Sequence, residues 1–181
     1  MKMRKRSQGF TLIEVLIAIL IISIGALGFT KSQFSALQTA SDAALRTTAT
    51  VMVEDMVARI EANAGDSLQG LNSGYQTGPA TLNTDCLSST GTFCQGNAMA
   101  LHDLADWNNL IANYFPADSG AIGIVCLDQN PGNAANACSP PSANPNPIVF
   151  TVKILWNSWQ NRGTSIYDQS VVATVEPPLQ R

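Results

Sequence analysis

The sequence predicts an α+β protein, with a long amino-terminal α-helix followed by a small carboxyl-terminal head of one short helix and an antiparallel β-sheet. Three observations carry this reading. An almost unbroken apolar run fills residues 10–29, helix-forming sequence without Gly or Pro continues from Thr30 to Ala64, and three stretches of strand length lie beyond residue 120. At 181 residues the chain has room for one ordinary domain plus an extension.

The apolar run, Phe10 to Phe29, reads FTLIEVLIAILIISIGALGF. At about twenty residues it is long enough to cross a bilayer core as a helix. MKMRKRSQG precedes it, and Lys2, Arg4, Lys5 and Arg6 supply four of the ten basic residues, with no acid before Glu14. Positive charge before an apolar span holds that end in the cytoplasm, so the carboxyl-terminal bulk is exported. A secretory signal carries a small-residue cleavage site after its apolar region. No convincing Ala-x-Ala site comes after this run and no lipobox cysteine is present, so the segment is expected to stay in the mature protein. Glu14 interrupts it four residues in. A carboxylate at depth costs on the order of 2.5–3.5 kcal/mol, less near the interface, and a plain anchor gains nothing from that cost. A Glu favoured by the dipole at the helix start is the plainer alternative.

The helical pattern outlasts the membrane. Leu37, Ala40, Ala44, Ala49, Val53, Met56, Val57 and Ile60 recur at three- to five-residue intervals, with Glu54, Asp55, Arg59 and Glu61 opposite them. One helix is expected from Thr11 to Ala64, roughly 80 Å at 1.5 Å per residue. Asn63 and Gly65 supply the stop. Its first half is apolar all round and its second half amphipathic. Gly25 and Gly28 at the junction allow either local unwinding or close helix packing.

Asp66 to Phe93 is rich in Gly, Ser and Thr and reads as a loop region with room for a short strand near Tyr75. Ala100 to Phe115 places Leu101, Leu104, Trp107, Leu110, Ile111 and Tyr114 at helical spacing, stopped by Pro116. Strands are expected at Ala121–Cys126, at Ile148–Trp156, where Phe150, Val152, Ile154 and Trp156 alternate against Thr151 and Lys153, and at Ser170–Glu176. Their connections allow antiparallel pairing.

Cys86, Cys94, Cys126 and Cys138 allow three pairings. The local ones, Cys86–Cys94 and Cys126–Cys138, close short loops rich in Gly, Asn, Ser and Pro. Neither spacing suits zinc, and His102 is the single histidine. Disulfides are the expectation for an exported head, and free buried thiols the alternative. The stretch from Asp128 to Pro147 lacks the alternating acidic ligands of a calcium loop and reads as an exposed loop pinned by Cys126–Cys138. His102, Asp103 and Asp106 read as an ordinary soluble helix face rather than a metal or acid–base site.

Charged residues are only 13% of the chain, against roughly 25% in soluble domains. Without the four leading basic residues the formal net charge moves from −3 to −7, which argues against a nucleic-acid partner. No nucleophile–base pair, Gly-rich phosphate loop or metal cluster is recognisable, so neither an enzyme nor a cofactor is expected.

Gly9-Phe10-Thr11-Leu12-Ile13-Glu14, after a short basic leader, resembles the prepilin signal of type IV pilins and type II secretion pseudopilins. That resemblance covers about a sixth of the chain. It implies a pilin-like fold, cleavage between Gly9 and Phe10 by a prepilin peptidase/methyltransferase, and methylation of the new amino terminus. Glu14 then becomes the fifth mature residue, the place at which the family's Glu is thought to pair with a neighbour's amino terminus during assembly. The organisation it implies is a cleaved leader at 1–9, a transmembrane or filament-core helix at 10–30, its amphipathic continuation at 31–64 and an exported head at 65–181. Val53 to Asn63, Asp106-Trp107 and the strand from Val152 to Trp156 resemble PilV-type minor pilins, though Phe115-Pro116 stands where that family often has Leu-Pro. The expected partners are other minor pilins, the major pilin and the inner membrane. The implied location is the inner membrane, amino terminus cytoplasmic and head periplasmic, then the surface pilus. The alternative is a minor pseudopilin of a type II secretion system.

Overall fold

A computed structural model of the protein describes residues 11–76, 86, 94–132, 138–164 and 167–178. The chain divides into two compact units, residues 1–41 and 42–181.

The first helix, α1 (Leu12–Ala62), runs for 51 residues. In the first unit its large apolar side chains, among them Leu16, Ile19, Leu20, Ile24 and Phe29, are exposed. By length and composition this helix is apolar enough to cross a membrane. Its hydroxyls fold back onto the helix, Ser23 Oγ donating to the Ile19 carbonyl at 2.7 Å and Thr30 Oγ1 to that of Ala26 at 2.9 Å. Polar groups satisfied in this way need no water, which suits an apolar surrounding. The helix passes through Gly25 and Gly28 without unwinding.

In the second unit α1 buries Ala49, Met52, Val53, Met56 and Ile60, a single stripe at helical spacing. That stripe is shorter than the sequence suggests. Leu37 is 69% exposed and Ala40 and Ala44 are exposed too, so the covered face begins only near Leu45. Arg59, expected on the outer face, is half-buried. The helix ends at Ala62, and Asn63 breaks it with φ −99° and ψ 47°. Gly65 does not stop the chain. It lies inside a one-turn helix, α2 (Ala64–Ser67), which is followed by 3-10 turns at Gly70–Asn72 and Gly74–Gln76. Among the described residues no strand forms near Tyr75, which is instead fully buried in the second of these turns. The turns are fixed by Asp66, whose Oδ2 accepts the Ser73 hydroxyl at 2.6 Å and the Gly74 N–H at 2.9 Å. Local side-chain bonds of this kind offer the backbone an alternative to a sheet ladder.

Helix α3 (Asn97–Tyr114) ends where Phe115 turns extended, φ −93° and ψ 144°, as a residue before proline must. Its Trp107 is fully buried, and the indole N–H donates to the Met52 carbonyl of α1 at 2.8 Å. Strands β1 (Ile122–Leu127), β2 (Phe150–Trp156) and β3 (Gln169–Val175) form an antiparallel sheet in that order, with Val152 opposite Val125 and Ala173. Helix α3 lies on β1 so closely that a Cβ on Gly123 would fall 2.3 Å from the Trp107 ring. The observed architecture is the expected α+β arrangement of long helix, short helix and antiparallel sheet.

One strand departs from the alternation read from its sequence. All seven residues of β2 are buried, so Thr151 and Lys153 are inside along with Phe150, Val152, Ile154 and Trp156. A strand covered on both faces loses its polar-out pattern. Asp128, in the connection from β1 to β2, pairs with the Lys153 ammonium.

Candidate functional site

Of the residues expected to carry processing and assembly, Gly9 and Phe10 lie outside the described residues. Glu14 stands in the first turn of α1. Its Oε2 accepts both the Thr11 N–H and the Thr11 hydroxyl, each at 3.3 Å. The Glu14 N–H in turn donates to the Thr11 carbonyl at 3.1 Å. A carboxylate three residues into a helix that reaches back to a leading N–H satisfies one of the orphan donors there and meets the positive end of the dipole. The spacing Thr-x-x-Glu is legible in the sequence, and the capping bond it makes adds to the dipole effect expected there. The carboxylate is thus held at the very start of the helix, and it is solvent-exposed in the isolated chain.

The four cysteines form the two local bonds, Cys86–Cys94 with Cα atoms 4.9 Å apart and Cys126–Cys138 with Cα atoms 6.3 Å apart. Of the three pairings the sequence allows, this is the one present. The second bond pins a loop whose described residues 138–147 are largely exposed, as expected. Asn144 of that loop clamps the 3-10 turn before Tyr75, its Oδ1 accepting the Leu71 N–H at 2.7 Å and its Nδ2 donating to the Gln69 carbonyl at 3.2 Å. Cys126, Asp128 and Cys138 bring three potential metal donors together. The two sulfurs are spent on each other, and the carboxylate on Lys153.

Three polar braces hold the head. Arg59 of α1 joins Asp55 at 2.9 Å, Asp106 at 3.0 Å and Asp103 at 3.4 Å, tying α1 to α3. Burial opposes the guanidinium charge, but hydrogen bonds and charges from Asp106, Asp55 and Asp103 outweigh it and raise its pKa. Tyr75 donates its hydroxyl to Asp103 at 2.7 Å, and burial together with that carboxylate pushes the phenol well above its usual range. Of the residues weighed for a metal or acid–base role, Asp103 and Asp106 are thus engaged by an arginine 44 and 47 positions away. No local pattern announces such a partner.

The second brace is Asp128. Burial would raise its pKa, but bonds from Lys153, the Asn130 N–H and the Ser139 N–H hold it below the ordinary carboxylate value. The third is Asp168, which accepts the Ser158 N–H at 2.7 Å and also bonds the Ser158 hydroxyl and the Asn161 amide. Burial again works in the opposite direction, and those bonds outweigh it and lower the Asp168 pKa. The same turn stacks Arg162 over Trp159 at 4.2 Å and ties the Trp159 N–H to Asp42 at 3.2 Å. These arrangements are built to hold elements together, each charge being met by its opposite or by hydrogen bonds.

Residues 4–30 match the family model described as the prokaryotic N-terminal methylation motif. The chain therefore carries the amino-terminal signature typical of type IV prepilin-like proteins. That class comprises pilins and pseudopilins, membrane-anchored through an apolar helix, and the motif implies processing by a prepilin peptidase and assembly with other pilins. No curated protein and no solved structure matches the chain. The head lies beyond the matched segment.

Proposed function

We propose that the chain is a minor subunit of a type IV pilus, a structural protein rather than a catalyst, which primes or modifies pilus assembly and thereby bears on adhesion or twitching motility. The carrying observation is the methylation motif at residues 4–30, continuous with a 51-residue helix whose membrane-length portion is uncovered. In this reading the basic leader keeps the amino terminus cytoplasmic and the head is exported. Cleavage after Gly9 frees Phe10, which is then methylated. Glu14, already held at the helix start by Thr11, meets the amino terminus of a neighbouring subunit as the apolar helix leaves the lipid for a bundle of other minor pilins and the major pilin. The head remains at the surface. Two disulfides suit a domain that works outside the cell.

A deletion strain tests the assignment. Loss of surface pili with type II secretion intact is the expected phenotype. Loss of secretion with pili intact would assign the chain to a pseudopilus instead, since the motif serves both machines.

A further inference from the structure

The middle strand of the sheet buries a lysine. Lys153 stands at the centre of β2, paired in register with Ile124 of β1 and Val172 of β3, and its side chain is fully buried. A buried ammonium is tolerated only when an opposite charge or hydrogen bonds meet it. The carboxylate that meets it, Asp128, belongs to the loop directly after β1 and is 2% exposed. Asp128 is itself held from that loop. Its Oδ1 accepts the N–H of Asn130 at 3.0 Å and of Ser139 at 3.1 Å, while the Gln129 N–H donates to the Ser139 carbonyl at 3.0 Å. Ser139 directly succeeds Cys138, and Cys138 is bonded to Cys126 near the end of β1. The disulfide thus fixes the returning limb of the loop that orients the carboxylate.

We propose that the Cys126–Cys138 bond is an oxidation-dependent latch on the sheet: closing it sets Ser139 against Asp128, and only then is Lys153 stably buried at the centre of β2. The head would then reach its locked form after export into an oxidising compartment, a consequence that rests on the head being exported as proposed for a pilus subunit. In the closing step the two thiols form the S–S bond, and their two hydrogens and two electrons pass to an external disulfide, which is reduced to its dithiol. With the bond open the Ser139 N–H is no longer tied in place beside Asp128, and the carboxylate loses one of the bonds that orient it towards Lys153.

A double-mutant cycle on the purified full chain in detergent tests the latch, with the urea midpoint of head unfolding as readout. The four proteins are the wild type, Cys126→Ala/Cys138→Ala, Lys153→Met, and the combination. With the bond present, Lys153→Met should lower the midpoint, because Asp128 stays buried without its ammonium. With the bond absent, the same change should leave the midpoint unaltered or raise it. An equal drop in both backgrounds overturns the proposal. Should the cysteine variant fail to fold, recovery of a cooperative transition on adding Lys153→Met supports the latch, and no recovery overturns it. Cys86→Ala/Cys94→Ala serves as control. Lys153→Met should cost as much there as in the wild type, and a vanished cost would show a general disulfide effect and overturn the latch. All these readouts are independent of whether the chain enters a filament, so failure here leaves the subunit reading standing.

Discussion

Within α1, the apolar side chains of residues 12–37 lie uncovered, while Ala49, Met52, Val53, Met56 and Ile60 are packed against α3, the sheet and Tyr75. The two stretches are comparably rich in helix formers. They differ in where their partners come from. The second stretch finds them in its own chain, through Trp107, Arg59 and the core. The apolar side chains of the first are exposed among the described residues, a surface suited to lipid or to helices of other chains. Changes in the head should therefore register as stability, and changes in the first stretch as assembly.

The largest contrast is expected at Glu14. Glu14→Leu should leave membrane insertion and head unfolding unchanged while abolishing recovery of the chain in sheared filaments. Normal incorporation would remove the special role given to this carboxylate. The largest stability effect belongs to Trp107, where truncation to Ala removes a fully buried ring and its bond to Met52. It should cost about 3–5 kcal/mol in urea unfolding, with insertion intact. Arg59→Met comes next, leaving Asp103 and Asp106 without their cation. A loss of about 2 kcal/mol is expected, and a neutral result would mean that α1 and α3 need no ionic brace.

Acid should separate the two regions as well. Asp128 and Asp168 have folded pKa values depressed below the ordinary carboxylate value, so their stabilisation is fully present above the unfolded pKa, near 4, and is lost as pH falls through the lower folded values. Head stability should fall steeply below about pH 4, whereas Asp128→Asn combined with Asp168→Asn should flatten that dependence. The smallest effect is expected at Phe34, which is 55% exposed. Phe34→Ser should move the head's unfolding by less than about 0.5 kcal/mol, and a larger shift would mean that the first stretch is not energetically separate from the head.

Where function depends on local sequence, the chain is easy to read. Basic leader, Gly9, Phe10 and Glu14 stand in register with the apolar run, and Asn63 and Pro116 end their helices as their backbone preferences require. The cysteine pairs are close in sequence, so the short loops they close are legible too. Distant pairing is not. Lys153 reads as an outward residue because its carboxylate comes from a loop 25 positions away, and Arg59 reads as solvated because Asp103 lies 44 positions on. Tyr75 sits in Gly- and Ser-rich sequence, and the turn that holds it is fixed by the buried Asp66 carboxylate rather than announced by periodicity. The covered stripe of α1 is shorter than its pattern, because helical spacing reveals a face without saying where a partner ends.

The fate of the first nine residues decides whether this helix is an assembly element. Mass spectrometry of the mature chain from cells with an active prepilin peptidase should find a protein that begins at Phe10 and carries one added methyl group on its amino terminus. The same chain from cells lacking that peptidase should retain Met1 to Gly9. A mature chain that begins at Met1 in both strains, or one cut after the apolar run, would contradict the prepilin reading and leave the helix an ordinary anchor or signal.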